Sequence, residues 1–104
     1  MKIIYEKARS GKTRELIKLA STGGFKLIVC HSRDEARRIF NLSMQMLEDK
    51  EIEKEISFPI TYWEFSHNLY FAPNVEAVLI DNADMFLRSI SSAKIEAISL
   101  TKEE

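Results

Sequence analysis

Short apolar runs alternate along this chain with segments of helical periodicity, and that alternation limits the folds it can adopt. The apolar runs are MKIIY, FKLIVC, FPITYWEF, VEAVLI and IEAISL, at residues 1–5, 25–30, 58–65, 75–80 and 95–100. Each has the length and the branched or aromatic residues of a single strand. Strands that alternate with helices form a mainly parallel sheet that is covered on both faces. The sequence therefore predicts a three-layer α/β domain with a mainly parallel sheet of roughly five strands.

Two longer helices are predicted between these runs. The first covers residues 13–20 and stops before Gly23 and Gly24, as a helix with a glycine C-cap does. Ser32 and Glu35 have the spacing of a capping box, which opens the second helix. The predicted inward face of this second helix consists of Ala36, Ile39, Phe40, Ser43, Met44 and Leu47.

The length and composition indicate one compact domain. The chain has 104 residues, of which 45% are hydrophobic and 30% are charged, as in globular proteins. Its apolar runs are too short for a signal peptide or a membrane span, so we expect a cytoplasmic protein with no membrane partner. Cys30 is the only cysteine, which excludes an internal disulfide and a cysteine metal cluster. We expect it to be a small buried side chain.

Charge is distributed unevenly along the chain. Residues 1–38 contain ten Lys or Arg and four acidic residues, whereas residues 39–104 contain five and twelve. The N-terminal third therefore carries a net charge of +6 and the remainder −7. Positive charge near the N-terminus favours an anionic ligand such as phosphate, but the whole chain is not basic. The acidic segment LEDKEIEKEI, at residues 47–56, is typical of a solvated helix end or a surface linker.

The segment EKARSGKT, at residues 6–13, ends like the phosphate-binding motif G-x-x-x-x-G-K-[ST]. A phosphate chain is bound by clustered backbone amides, a helix N-terminus and a cation, all of which a loop between a strand and a helix provides. Lys12 is predicted to neutralise the β and γ phosphates of ATP, and the Thr13 hydroxyl to ligate magnesium. The predicted nucleotide-binding residues are Glu6, Lys7, Ala8, Arg9, Ser10, Gly11, Lys12, Thr13 and Arg14.

A second motif, VLIDNAD, lies at residues 78–84. An apolar strand that ends in an aspartate has the form of a Walker B segment, whose carboxylate holds magnesium through water. Asp81 is therefore a predicted magnesium ligand together with Thr13; the alternative is an ordinary turn residue at a strand end of another α/β domain. Ligands bind at the carboxyl ends of parallel strands, where both motifs are expected. A brief helix is predicted to follow at residues 85–91.

The chain resembles the first motor domain of superfamily-one helicases and related P-loop ATPases in the order of five segments: IIYEKARSGKT, LIVCHSRDEARRIF, ITYWEF, VLIDNAD and AISLT. More closely, it is similar to small stand-alone P-loop proteins of bacteriophages and prophages. The resemblance implies a RecA-like sheet in which residues 95–100 insert between the P-loop and Walker B strands. It also implies that Thr101 is the polar sensor of the γ-phosphate. Residues like Tyr62, Trp63 and Phe65 contact single-stranded DNA in helicases, although an aromatic core explains them as well.

Two residues depart from the pattern of that family, and a third is a candidate to compensate the first. Glu6 replaces the first glycine of the loop, and its carboxylate would repel phosphates unless it turned outward. Arg9 is a candidate compensating cation. Asn82 replaces a glutamate that polarises the attacking water, and an amide orients water but cannot accept its proton. Asp84 either substitutes for that glutamate or caps the following helix. The candidate catalytic residues are thus Asn82, Asp84 and Thr101.

These features suit three functions. The first is a P-loop protein that binds ATP and magnesium and whose hydrolysis is weak or depends on a partner. The second is an inactive P-loop scaffold that binds another protein, or a second copy of itself, through the sheet edge at residues 1–5. The third is a single-stranded nucleic-acid-binding accessory protein, which the positive N-terminal third favours. His31 and His67 lack the spacing of a metal site.

Overall fold

The computed structural model describes Ile4, residues 11–67 and residues 74–99. Within these residues, three parallel strands form one sheet and four helices accompany it. The elements are, in chain order, α1 (Lys12–Ala20), β1 (Lys26–Cys30), α2 (Arg33–Glu48), β2 (Ile60–Thr61), α3 (Tyr62–Ser66), β3 (Ala77–Ile80) and α4 (Ala83–Ser89). The α/β class and the parallel sheet are confirmed. Of the strand predicted at residues 1–5, only Ile4 is described.

β1 is the central strand, with β2 on one side and β3 on the other. Its last four residues are all buried, as is typical of a central strand in a parallel sheet. Ile28 and Cys30 point to one face and join the core that α1 and α2 complete, whereas Leu27 and Val29 point to the opposite face. Cys30 is fully buried, as predicted. Because the strands are parallel, their carboxyl ends meet at one edge of the sheet.

The buried face of α2 differs from the predicted one in its second half. Ala36, Ile39 and Ser43 are buried, as predicted. Met44, however, is 39% exposed, and Met46 is fully buried instead. Residues spaced three, four and three apart follow one stripe along a helix, and Met46 continues that stripe whereas Met44 does not.

The charged segment after α2 is not simply a solvated linker, because two of its isoleucines join the core. Ile52 and Ile56 are only 5% and 4% exposed. Lys50 has a φ of 62°, a left-handed backbone conformation that turns the chain away from the axis of α2. The amide of Glu51 then donates back to the carbonyl of Met46 over 2.8 Å. This turn carries the isoleucines onto the core while the charged side chains of the segment stay exposed.

The strand predicted at residues 58–65 is largely wrong, because most of that segment is helix or irregular. β2 contains only Ile60 and Thr61, and α3 begins at the next residue. The Glu64 amide donates to Thr61 Oγ1 and the Thr61 amide donates to Glu64 Oε1, both over 3.1 Å. Thr-x-x-Glu is the sequence signature of this capping box, and here it outweighs the β propensity of the neighbouring aromatic residues.

The fifth predicted strand does not form in the part of it that the structure describes. Residues 95–99 are neither helix nor strand, and Ile98 is 57% exposed. Ile95 and Ile98 are three residues apart, so they would point to opposite faces of a strand, and so short a strand buries little on either face. The sheet of the described residues therefore has three strands. α4, at Ala83–Ser89, begins two residues earlier than predicted.

Ile39 provides a test of where the core lies. It is fully buried among residues of α1, β1 and α2, so Ile39→Ala should lower the free energy of unfolding by about 2–5 kcal/mol through lost burial and a residual cavity. Ile90, which is 58% exposed, is the matched control, and Ile90→Ala should change it by no more than about 0.5 kcal/mol. Urea unfolding followed by circular dichroism measures both. Equal losses of unfolding free energy in the two variants would contradict this assignment of the core.

Candidate functional site

The ends of β1 and β3 lie side by side at the carboxyl edge of the sheet. Val29 is paired with Ile80, and the amide of Asp81 donates to the carbonyl of Val29 over 2.9 Å. Asp81 and Asn82 therefore leave the sheet beside the segment that follows β1. Open parallel sheets bind their ligands at this edge.

A direct contact joins the two sequence motifs at this edge. The Nζ atom of Lys12 donates a hydrogen bond to Oδ1 of Asn82, 70 residues further along the chain. Lys12 is the first residue of α1, and Asn82 is the N-cap residue of α4. The Gly-Lys-Thr segment thus lies against the Asp-Asn segment, which is the arrangement that the spacing of the motifs predicts.

Asp81 is a buried carboxylate with an unsatisfied oxygen. The residue is 2% exposed, and its Oδ1 accepts no hydrogen bond from the described part of the chain. Burial raises the pKa of Asp81. The positive charges of Lys12, Arg38 and His31 oppose this rise, and the charge of Glu35 adds to it. Buried polar atoms are nearly always hydrogen-bonded, so the unpaired Oδ1 marks Asp81 as a candidate functional residue.

The N-cap residue of α1 provides no side-chain cap within the described part of the chain. Gly11 is the N-cap residue, and its φ of 93° is a left-handed conformation that favours glycine. No side-chain hydrogen bond from Gly11 satisfies the first amides of the helix, and a Cβ built on Gly11 would meet no described atom within 4 Å. Thr13, half-buried, is the second residue of this helix. Free amides and the helix dipole attract anions to such a terminus.

Tyr62 anchors the Asp-Asn segment from α3. The single hydrogen of its hydroxyl is shared between two carbonyl oxygens, that of Asp81 at 2.5 Å and that of Asn82 at 3.0 Å. Burial, together with the nearby charge of Asp81, raises the pKa of Tyr62, so the hydroxyl remains a donor at physiological pH.

Asn82 has φ of 52° and ψ of 61° and is the N-cap of α4. Asp84 is therefore not the N-cap residue of α4, contrary to one of the two predictions for it.

The three aromatic residues of ITYWEF have three different environments. Tyr62 is buried at the site, and Phe65 is half-buried with its ring centre 5.9 Å from that of Phe86. Trp63 is 60% exposed, and its ring stacks on His67 with the ring centres 4.3 Å apart. The core interpretation therefore fails for Trp63. Its exposed ring is the feature that favours the nucleic-acid interpretation, because bases stack on such rings.

Three ionisable side chains, His31, Glu35 and Arg38, lie at or just before the start of α2 near the carboxyl edge. The Glu35 amide donates to Ser32 Oγ over 3.1 Å, so half of the predicted capping box forms. The Glu35 carboxylate instead accepts hydrogen bonds from Arg38, whose Nε lies 3.1 and 3.0 Å from its two oxygens. His31 Nε2 lies 3.8 Å from Glu35 Oε2. The hydrogen bond from Arg38 lowers the pKa of Glu35 despite partial burial.

The remaining predicted site residues lie elsewhere. Residues 6–10 and Thr101 are outside the described residues. Arg14 forms an exposed salt bridge of 2.7 Å with an acidic residue that follows α2. The side chain of Asp84 is 69% exposed and lies 2.6 Å from Arg88. Among the described residues, no group of three His, Cys, Asp or Glu side chains is arranged to hold a metal ion.

Sequence reasoning missed the contributions of Tyr62, Glu35 and Arg38 to this edge. The Thr61-x-x-Glu64 spacing was the available signal for Tyr62, because it starts a helix at the end of β2. For Glu35, the spacing with Ser32 indicated a helix cap but gave no indication of a neighbouring buried aspartate. The proximity arises only from the parallel pairing of β1 with β3.

Comparison with known proteins gives no match: no protein-family model, no curated protein and no solved structure is significantly similar to this chain. The site must therefore be interpreted from its own geometry. Within residues 11–67 and 74–99, none of the helices combines the length and the hydrophobicity that a membrane span needs.

Removal of the Tyr62 hydroxyl tests its anchoring role. Tyr62→Phe removes the donor that the buried carbonyl of Asp81 shares with the partly buried carbonyl of Asn82, so we expect a loss of about 1–3 kcal/mol in the free energy of unfolding. Phe65→Leu is the control, because Phe65 lies in the same helix and is only half-buried. It should lower the free energy of unfolding by less than Tyr62→Phe does. Denaturant unfolding measures both variants, and an unchanged stability of Tyr62→Phe would contradict the anchor.

Asp81→Asn should stabilise the ligand-free protein at neutral pH. Because the folded state raises the pKa of Asp81 above its ordinary value of 3.8, the native state binds the proton more tightly than the unfolded state. The contribution of Asp81 to the free energy of unfolding therefore falls as the pH rises from 3.8 through the higher pKa of the folded state. The melting temperature of Asp81→Asn minus that of the wild type should be positive at pH 7 and shrink toward acid pH. The exposed Asp34→Asn, which makes the same charge change, should show no such trend; a trend shared by both variants would contradict the prediction.

Proposed function

We propose that this chain is a P-loop protein that binds ATP with magnesium and whose hydrolysis is slow or depends on a partner. The observation that carries the proposal is the hydrogen bond from Lys12 to Asn82. It brings a lysine at the start of a helix against a buried aspartate at the end of a strand. A phosphate chain and its magnesium ion need that combination of groups.

The phosphates would bind at the N-terminus of α1. The uncapped first turn supplies amides, and Lys12 supplies the cation that neutralises the β and γ phosphates. In the ligand-free chain the ammonium is satisfied by the Asn82 side chain. Bound phosphate oxygens would replace that amide oxygen as acceptors. Residues 6–10, with Arg9 offsetting the charge of Glu6, complete the proposed loop.

Magnesium would be held by the nucleotide as much as by the protein. Mg²⁺ keeps several of its waters and takes one or two protein oxygens together with substrate phosphates. The Thr13 hydroxyl and the Asp81 carboxylate are the proposed protein groups. The buried Oδ1 of Asp81, which accepts no hydrogen bond from the described residues, fits a magnesium-bound water. When bound, the ion would neutralise charge on the phosphates.

The sheet order supports the finer architecture that we propose, a RecA-like P-loop domain. β3 pairs with β1 on one side, and among the described residues no strand covers its other side. That free side is open to the strand predicted at residues 1–5, whereas residues 95–99, which the resemblance would insert there, form no strand. We propose the same kinship with the small P-loop proteins of bacteriophages, in which Thr101 would be the sensor of the γ-phosphate.

Slow hydrolysis follows from the residue next to Asp81. Asn82 orients water but cannot accept its proton, and its side chain is already engaged by Lys12. Asp84 is directed to the exposed face of α4, where it pairs with Arg88. A partner that supplied an arginine, or a base from elsewhere in the chain, would accelerate the reaction.

Isothermal titration calorimetry with ATP and magnesium tests the proposal. Lys12→Ala removes a charge-assisted hydrogen bond to phosphate, so the dissociation constant should rise by about 10- to 150-fold. Lys18→Ala is the matched control, because it removes the same charge from the exposed last turn of α1. The affinity of Lys18→Ala should stay close to that of the wild type.

Absence of heat with the wild-type protein would refute ATP binding. Binding that appeared only in Glu6→Gly would then show that Glu6 has closed the loop to phosphates. In that case the alternative holds, and the chain is a P-loop scaffold that recognises another protein. Equal affinities of Lys12→Ala and the wild type would place the nucleotide elsewhere.

A further inference from the structure

We propose that the outer stripe of α2 is an interface through which two copies of this chain associate as an antiparallel dimer. The outer stripe consists of Arg33, Arg37, Phe40, Met44 and Glu48. This surface is distinct from the sheet edge at residues 1–5, and the inference does not require bound ATP.

Helical periodicity puts the outer stripe on one side of α2. Its residues are spaced four, three, four and four apart, and side chains at this spacing lie above one another on a helix. The buried residues of α2 lie on another side. All but one of the side chains in the stripe are exposed, and that of Phe40 is half-buried. The stripe therefore faces outward along the whole helix.

The centre of the outer stripe is apolar and continues beyond the helix. The ring centres of Phe40 and Phe58 are 5.2 Å apart, and Met44 follows Phe40 by about one helical turn. Phe58 is 52% exposed and Met44 is 39% exposed. These three side chains form an apolar patch beside β2, an outer strand of the sheet in the described residues. Clustered apolar side chains with a charged rim are typical of protein–protein contacts.

The two ends of the outer stripe carry opposite charges. Arg33 and Arg37 lie in the first two turns of α2, and Glu48 is its last residue. Within the described part of the chain, neither Arg33 nor Glu48 forms a salt bridge. Arg37 contacts Asp34 over 3.5 Å, but such an exposed pair stabilises little. The helix dipole favours acidic residues at the N-terminus and basic residues at the C-terminus, so Arg33 and Glu48 each stand at the unfavourable end.

Antiparallel packing of two α2 helices satisfies both the charges and the apolar patch. With a two-fold axis midway between Phe40 and Met44, Phe40 of one protomer packs against Met44 of its partner. Arg37 of each protomer then lies beside Glu48 of the other, so the same contact forms twice. Parallel packing would instead bring like charges together. The stripe is self-complementary in one orientation only, which is why we assign a second copy of this chain as its occupant.

The length of α2 sets the strength that we expect. Its 16 residues span about 24 Å, so two such helices bury an area at the lower end of the range for specific interfaces. We therefore expect a dimer in equilibrium with the monomer at micromolar concentrations.

Sedimentation equilibrium of the full chain tests the interface. The wild type should show a monomer–dimer equilibrium. Met44→Glu puts a charge into the apolar centre, so the dissociation constant should rise by at least about tenfold. Ile90→Glu is the matched control, because it adds the same charge at a residue that is 58% exposed and lies outside the stripe. Its dissociation constant should stay within about twofold of the wild-type value.

A charge exchange tests the orientation of the two helices. Arg37→Glu and Glu48→Arg, made singly, each place like charges across the interface twice and should weaken the dimer by at least about fivefold. The double variant places opposite charges together again and should recover the wild-type dissociation constant. The two positions lie about 16 Å apart along α2, so this recovery cannot come from a pair within one chain.

Three results would overturn the inference. The first is a wild-type chain that stays monomeric up to submillimolar concentration. The second is a dimer that Met44→Glu leaves intact; if Tyr5→Pro then dissolved it, the contact would lie at residues 1–5. The third is a double charge variant that fails to recover, which would exclude the antiparallel arrangement. The charge variants also provide an independent measurement if circular dichroism shows that Met44→Glu does not fold.

Discussion

The parallel pairing of β1 with β3 is the constraint on which the rest of the site depends. Four register pairs, ending at Val29 beside Ile80, align the carboxyl ends of the two strands. This alignment buries Asp81 where its strand ends and sets it beside the first turn of α2. α1 approaches the same edge, where Lys12 reaches Asn82. A shift of this register by one residue would turn each side chain of β3 to the opposite face, so these groups meet only in the observed pairing.

Burial of Asp81 opposes stability, and the surrounding charges show how the fold tolerates it. A buried carboxylate is costly unless positive charges or hydrogen bonds compensate it. Lys12, Arg38 and His31 provide positive charge around Asp81, and they come from three different segments of the chain. None of them donates a hydrogen bond to Oδ1. The compensation is therefore electrostatic and incomplete, and such perturbed buried carboxylates are often found at functional sites.

The sequence was sufficient to predict the elements whose local signals agree with their packing. β1 and the start of α2 were predicted because a branched apolar run is followed by Ser32 with Glu35 three residues later. Ile52 and Ile56 were missed because their burial depends on how the chain turns at Lys50, which is not apparent from periodicity. Met46 does continue the buried stripe of α2, and the prediction chose Met44 in its place. In the site, Lys12 and Asp81 were identified by motif, since phosphate chemistry fixes the residue types. Tyr62 belongs to no such motif, and its only signal is the Thr61-x-x-Glu64 spacing that starts α3.

Asn82 has two roles at the site: its backbone forms the turn after β3, and its side chain accepts a hydrogen bond from Lys12. The turn after β3 requires a left-handed residue at this position, with φ of 52°, and asparagine tolerates that region better than glutamate because its short amide side chain bonds locally. The same residue supplies the oxygen that holds Lys12. A glutamate here would strain the turn that Tyr62 secures, and its carboxylate would pair with Lys12 as an ion. The turn and the lysine therefore both favour an amide at position 82.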